Sequence, residues 1–529
     1  MKPYWAEGIS ERDPFSFQEV YRYPEKELES YPSEHGHGKT VIVIGGGVAG
    51  LTAGLELSSR GYDVKILEES GRVGGRIRTH YFSPDIHAEL GAMRIPSSHE
   101  CTLHYAARFG LQRRTFVNYN AAGLYHLRGN KVRLADWRDA ASRYDLKPSE
   151  HLEPTRLLES QMNLAMARLS GPEKYQLFHS RTPGIVEDYD KRTLRQHLEA
   201  AGLSDEAIEF LGQATGLIQY ERASFLETLI DYFGLLRVQQ YELVDGMEAL
   251  PNAMARELSG RITLNASVYA VRDNGSSLKV HYRLDGEDGL AEADYVVCTV
   301  PARRSAMIDW HPRLPFRKHE ALRRLYYASA AKTLVHVSER IWELESGIFG
   351  GGSFLDGPVQ QVWYPSDNST PSSDSMQRAT ITGDDLELTA TASAPTRWKA
   401  SDATRSRLPA AFTASYTWES NARWMASLSR GERTDEVLRS IEELHPGIGK
   451  LVLGVEHVVW DEESSLSGAF AYYAPGEHSR YLSQLRDPHP VEDPRVFFAG
   501  EHVSVTHAWI QGSIQSALEA VLAVLRKDS

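Results

Sequence analysis

The chain has 529 residues, more than one compact hydrophobic core accommodates, so two or three domains are expected. Its 41% apolar and 24% charged residues are ordinary for a globular protein, and the net charge of −13 argues against a general nucleic-acid surface while leaving room for a local basic pocket. The two cysteines, Cys101 and Cys298, are too few and too distant for a disulfide framework or a metal-ligand cluster, which fits a reducing compartment.

The first residues show no basic segment leading into an apolar run, and no stretch of about 18 apolar residues occurs. The expectation is a cytoplasmic protein without a signal peptide or a membrane span. Residues 1–38 read as a leading arm that packs on the surface. Residues 40–44, TVIVI, form a continuous β-branched run suited to a strand buried on both faces. A glycine turn follows, then a helical pattern over 48–60, then a second strand over 63–67, which makes a βαβ unit. Residues 97–240 read as mostly helical, a helical insertion in an α/β frame. Strand signals return at 262–264, 278–282, 295–300, 332–337 and 359–364. Residues 366–409 are rich in Ser, Thr, Asp and Ala and read as a long loop or a partly disordered insertion. A last strand at 495–499 leads into a helix from about 512. No internal repeat is present.

Gly45-Gly46-Gly47-Val48-Ala49-Gly50 is a GxGxxG lying between a strand and a helix, the context that gives this motif meaning. Gly45 permits the tight turn, Gly47 lets the backbone approach a pyrophosphate, and Gly50 lets the helix pack close to the sheet. The helix N-terminus offers free N–H groups and a positive dipole end to phosphates. Glu68, at the end of the second strand, can accept both hydroxyls of an adenosine ribose. Arg72-Val73-Gly74-Gly75-Arg76 then provides a second glycine pair, and Arg76 can fork onto pyrophosphate oxygens.

GxGxxG, Glu, then RxGGR resembles the flavin-containing amine oxidase superfamily. The resemblance continues through Val244-Asp-Gly-Met247 with Leu250-Pro251, through Trp460 with Gly468-Ala-Phe470, through Phe498-Ala-Gly500-Glu501-His502, and through Ala508-Trp509-Ile510 with Gly512-Ser513. It implies a Rossmann-like FAD-binding domain with a mixed-sheet substrate domain and an inserted helical subdomain. It also implies noncovalent FAD, since no cysteine occurs near the C-terminal flavin segment. The cofactor contacts it implies are Gly45, Gly47, Ala49, Gly50, Glu68, Glu69 and Arg76 on the first half. Gly91, Ala92, Met93, Arg94, Val268 (through its backbone), Trp460, Gly500, Glu501, Trp509 and Ile510 complete the set. The start of the last helix would then face the flavin pyrimidine.

Gly91-Ala92-Met93-Arg94 resembles the segment of L-amino acid oxidases whose arginine holds the substrate carboxylate, with Ala92 in place of the usual proline. A guanidinium fork matches a carboxylate with two parallel hydrogen bonds; the plain alternative for Arg94 is a structural salt bridge. Tyr364 matches a tyrosine that shares the carboxylate in that subfamily, or else is a core tyrosine of a strand. Trp509 resembles the aromatic wall beside the substrate amine, and Ala508 replaces a glycine usual there. Phe470 lines the side-chain pocket or is a bland core aromatic. Lys332 matches a lysine that reaches the flavin N5 through a water. Asp231 either reads a basic side chain from the capping helix or is a solvated helix residue.

The expected layout places the FAD domain at 39–96, 243–305 and 455–529. A helical subdomain occupies 97–242 and the rest of the substrate domain 306–454. The implied reaction is oxidative deamination of an L-amino acid, with dioxygen as acceptor, to a 2-oxo acid, ammonia and hydrogen peroxide. A decarboxylating monooxygenase, an amine or polyamine oxidase, and a non-catalytic flavin scaffold are the rivals. By analogy with the family a homo-oligomer is expected; no nucleic acid, membrane or metal is.

Overall fold

The computed structural model describes Tyr4 and residues 15–178, 184–235, 238–372, 377–381 and 390–529. The β-branched run Thr40–Ile44 is the central strand of a five-stranded parallel sheet, flanked by Asp63–Leu67 and Tyr295–Cys298, with Ile262–Thr263 and Val496–Phe498 at the edges. Val41, Val43 and Ile66 are fully buried, as expected where helices cover both faces. Helix Val48–Ser58 packs on this sheet against the C-terminal helix Ile510–Lys527. Along the sheet, 63–67 lies beyond Thr40–Ile44 on one side and 496–498 beyond Tyr295–Cys298 on the other, so the strand order reverses between these two neighbours and their carboxyl ends open a crevice, the usual place for a ligand in such sheets.

The second body is a seven-stranded sheet in the order 452–459, 330–337, 410–418, 361–364, 351–355, 124–127, 130–133. Its strands alternate except at bulges where 330–337 pairs with 410–418 and with 452–459. Trp363 and Phe354 face one cluster with Tyr125, whereas Tyr364, Val362, Leu355 and Phe412 face another with Trp342.

Four expectations about organisation change. The span 97–242 is not uniformly helical: strands Leu124–Leu127 and Asn130–Arg133 join the second sheet, and helices dominate only from Pro154 onward. Strand Val452–Val459 pairs with Ala330–Val337, so residues up to 459 belong to the second sheet. The described part of 366–409 forms two antiparallel ladders, Ser369–Pro371 with Trp398–Ala400 and Gln377–Ile381 with Ala390–Pro395. Its base is clamped where Asp367 accepts from Arg340 and Arg405, each at 2.6 Å. Short polar residues gave the sequence a loop-like composition, but buried ion pairs and backbone ladders do not depend on apolar content. Residues 373–376 and 382–389 lie outside the described residues. The leading arm is also more than a surface strap, since Val20, Tyr21 and Leu28 are fully buried and Cys101 donates to the Tyr21 carbonyl. No helix among the described residues is long and apolar enough to cross a membrane.

Candidate functional site

A single cavity joins the crevice of the first sheet to one face of the second. Its first end is built by the glycine turn. Gly45 has φ +105° and a Cβ there would stand 2.7 Å from Thr299 Oγ1, so glycine is required. Gly50 is equally constrained, because its Cβ would meet the Gly45 carbonyl oxygen at 1.9 Å; it packs the helix onto the turn and does not itself line the cavity. Gly47 differs: its φ of −70° suits any residue, and a Cβ would meet nothing within 4 Å. The space beside it is cavity. Gly74 donates to the Gly46 carbonyl at 2.9 Å, which docks the second glycine pair onto the first turn. Glu68 is held by Gly46 N–H at 2.5 Å and by the Ser70 hydroxyl at 2.6 Å, with its carboxylate in the cavity wall. Ala49 and Glu69 also line this end; Glu69 accepts from Arg304 at 2.6 Å and from Ser267 Oγ at 3.1 Å.

Arg76 and Glu501, expected separately as cofactor contacts, are an ion pair at 2.7 Å in the middle of the cavity. Burial would raise the Glu501 carboxyl, but Arg76 and the nearby histidines hold it below the ordinary value. Glu501 also accepts from the backbone N–H of Ala471 at 3.0 Å and of Ala508 at 3.3 Å. Gly91, Ala92, Met93, Trp460, Phe470, Gly500, Trp509 and Ile510 line the same space. The helix that starts at Ile510 has no side-chain cap on its first N–H groups, so its positive end opens on the cavity.

At the second end stands Arg94. Its Nη1 donates to Asn118 Oδ1 at 2.9 Å, and its guanidinium carbon lies 5.2 Å from the Trp363 ring, 5.7 Å from Phe116 and 6.0 Å from Trp509. Among the described residues no carboxylate pairs with it, so the structural salt-bridge alternative is not what the geometry shows. Desolvation lowers its pKa from the ordinary value, the signature of a cation short of counter-charge. Asp231 lies in the same wall, outside ion-pair contact with Arg94, and accepts from the Trp509 indole N–H. Burial pushes its carboxyl up. It is therefore a cavity residue and not a solvated one.

Four expected site residues fall elsewhere. Tyr364 does not line the cavity: strand alternation turns it to the far side of the sheet, where its hydroxyl bridges Ser353 Oγ at 2.9 Å and His445 Nε2 at 2.7 Å. Its neighbours Trp363 and Gln361 face the cavity instead. Val268 sits half-buried at a bulge in strand Ala266–Asp273, away from the lining. Lys332 is on the cavity side of its strand but one layer behind the wall, donating to the carbonyls of Gly91 at 2.6 Å and Glu89 at 3.2 Å. Gly50, as noted, is a packing residue.

The residue missed is Tyr416, in strand Ala410–Trp418. It lines the cavity, its hydroxyl has no hydrogen-bond partner among the described residues, and it is close enough to Arg94 for the guanidinium to offset part of the rise that burial imposes. Asn118, Tyr220, Trp363 and Trp418 were also missed. Alternation in 410–418 marks a strand but groups Tyr416 with Phe412 and Ala414 of the far cluster; a bulge at Ala414, which nothing in the sequence announces, turns Tyr416 to the cavity. Two outcomes follow. Tyr416→Phe should raise KM for a carboxylate substrate about tenfold, the worth of about one hydrogen bond to a charged group. Tyr364→Phe should cost about 1–3 kcal/mol of stability and leave kinetics unchanged; steady-state kinetics and denaturant unfolding on both variants check this.

Burial pushes Lys332 down to about 7 from 10.5 and Glu89 up to about 8 from 4.5. Between pH 8 and 10.5 the unfolded Lys332 binds a proton that the folded one does not, so its contribution to stability rises with pH there. Glu89 acts oppositely, between 4.5 and 8. Urea unfolding of wild type and Lys332→Met at pH 8 and pH 10 should show that the variant lacks this rise.

Residues 48–525 match the family model described as flavin containing amine oxidoreductase. The chain is 28% identical over 488 residues to an L-amino-acid oxidase of Siganus canaliculatus, covering 91% of this chain and 84% of that protein. It is 28% identical over 506 residues to a putative L-amino-acid oxidase of Bacillus subtilis (strain 168), covering 93% and 95%. Among solved structures, a putrescine oxidase bound to putrescine superimposes with a TM-score of 0.70 at 19% identity, over 92% of this chain and 99% of that one. Cyclohexylamine oxidase from Brevibacterium oxydans IH-35A gives 0.69 at 17%, again over 92% and 99%. With the glycine turn, the Arg76–Glu501 pair and the capless helix end all in one cavity, and with nearly the whole chain matched, this protein belongs to the flavin-containing amine oxidoreductase family.

Proposed function

We propose that the protein is an FAD-dependent L-amino acid oxidase. The observation that carries this reading is Arg94, a guanidinium in the cavity wall with no carboxylate partner among the described residues. A cation so placed is costly unless something negative arrives, and a substrate carboxylate matches its fork. Asp231 puts a negative group in the same wall, so the cavity presents opposite charges to a zwitterion.

The residues of the first end fit FAD held without a covalent bond. The free space at Gly47 admits a pyrophosphate, Glu68 a ribose, and the open end of helix Ile510–Lys527 an electron-rich ring edge. Cys101 and Cys298 are both buried and neither lines the cavity. When bound, the flavin supplies the two-electron acceptor that no side chain provides.

The protein's own part is to place and shield. Arg94, oriented by Asn118, holds the carboxylate, and the Tyr416 hydroxyl adds a second donor. Trp363, Trp418, Trp509 and Phe470 exclude water and leave the Cα–H facing the first end of the cavity. Positioning of this kind lowers the barrier by several kcal/mol, up to about 7–11 in favourable intramolecular models. The Asp231 carboxylate, made more basic by burial, suits a group that takes a proton from the substrate ammonium. The imino acid released is hydrolysed to a 2-oxo acid and ammonium while dioxygen becomes hydrogen peroxide. Aerobic turnover of L-amino acids should give 2-oxo acid and peroxide in equal amounts. An amide with carbon dioxide would replace this reading by a decarboxylating monooxygenase, and turnover of simple amines alone by an amine oxidase.

A further inference from the structure

The backbone at Ala508 is left-handed, φ +65°, in a residue that carries a side chain. Such a conformation persists where the surroundings over-determine it. Here they do so at three points. The Ala508 N–H donates to Glu501 Oε2 at 3.3 Å. The preceding residue, His507, is bound through Nδ1 to Glu227 Oε2 at 3.0 Å. The following residue, Trp509, donates its indole N–H to Asp231. Glu227 and Asp231 are four residues apart on helix Phe225–Leu235, hence on one face of it, one turn above the other. His507 and Trp509 are two residues apart on the kinked segment. The pairs match in order, so one helix face grips the chain on both sides of the kink. Glu227 and His507 are almost wholly shielded from water, at 5% exposure each, while Ala508 is exposed to the cavity it lines.

We propose that Glu227 and His507 are positioning residues: together with Asp231 and Trp509 they latch the helical subdomain to the Ala508 kink and so set the shape of the substrate end of the cavity. The pair touches neither end of the cavity itself; neither residue lines it. It acts through Ala508 and Trp509, which do. Because Glu227 and His507 sit on different bodies of the fold, the cavity wall is correct only when the helix is docked. In its kinetic consequence the proposal rests on the reading of the cavity as an amino-acid site; in its structural consequence it does not.

Removing one member of a buried hydrogen-bonded pair strands the other, so the test replaces both, in Glu227→Leu/His507→Phe, where apolar groups of similar size keep the packing. The double variant should fold and retain flavin. Backbone amide exchange over residues 504–512 should quicken about tenfold, with the parallel sheet unchanged. KM for L-amino acids should rise about tenfold with kcat within about threefold, the split expected when binding geometry and not chemistry is lost. Adding Ala508→Gly, which removes the steric cost of the left-handed conformation, should bring the KM effect of the double change below about threefold. Wild-type exchange over 504–512, or faster exchange spread evenly over the molecule, overturns the latch. Equal KM in wild type and double variant overturns its role in the site. A wild-type protein that turns over no L-amino acid removes the amino-acid reading alone, and the exchange measurement still decides the latch.

Discussion

Arg94→Ala should lose roughly 30- to 4,000-fold in kcat/KM for L-amino acids, corresponding to the about 2–5 kcal/mol lost when one partner of a buried, hydrogen-bonded charge pair is truncated. The loss comes from the substrate carboxylate, which would enter a wall of Trp363, Phe116 and Trp509 with no cation to meet it. Flavin content should not change, because Arg94 stands with Asn118 at the end of the cavity away from Gly47 and Glu68. Arg94→Lys should remain badly impaired: a single ammonium cannot reproduce a planar fork held by Asn118. Rates with a simple amine, which brings no carboxylate, should move far less. Stopped-flow reduction with an amino acid and its decarboxylated analogue measures the difference directly. Equal losses for both would return Arg94 to a structural role.

Gly47→Val should give a folded, colourless protein. The backbone angles at Gly47 are open to any residue and an added Cβ touches nothing within 4 Å, so the fold has no reason to fail. The isopropyl group instead projects into the space where a pyrophosphate would approach the turn. Circular dichroism should match wild type, while thermal stability falls by the amount that bound cofactor contributes through mass action. Gly50→Ala is the contrast. Its Cβ would overlap the Gly45 carbonyl at 1.9 Å, so that variant should lose the fold as well as the flavin. A Gly47→Val protein that purifies with full flavin would remove the glycine turn from the cofactor site.

Much of the first end was legible because its physics is local. TVIVI, the glycine spacing and Glu68 all sit within 30 residues, and the motif assigns each glycine a separate job: the turn at Gly45, the open approach at Gly47 and the close packing at Gly50. Arg94 was legible for a similar reason, since a short segment carries it. The second end was not, because it is assembled across a sheet. Tyr364 and Trp363 are adjacent in sequence and point to opposite faces, and choosing between them requires knowing which face of the strand is the cavity. Tyr416 reaches Arg94 only through the register of strand Ala410–Trp418 against Gln361–Tyr364, which includes a bulge. Lys332 was placed in the right strand and on the right side, but the layer formed by Glu89–Met93 in front of it left no trace in its own segment. The polar stretch 366–409 misled because composition reports burial of apolar area, while its base is fastened by Asp367 with two arginines.

Whether an L-amino acid is the electron donor decides the assignment of Arg94 and the cavity around it. The decisive measurement is an anaerobic visible spectrum of the purified protein, titrated with L-amino acids, D-amino acids and simple amines. Bleaching of the flavin by L-amino acids alone, abolished or greatly slowed in Arg94→Ala, is the result predicted here. Bleaching by amines without a carboxylate, or by none of the three classes, would contradict it.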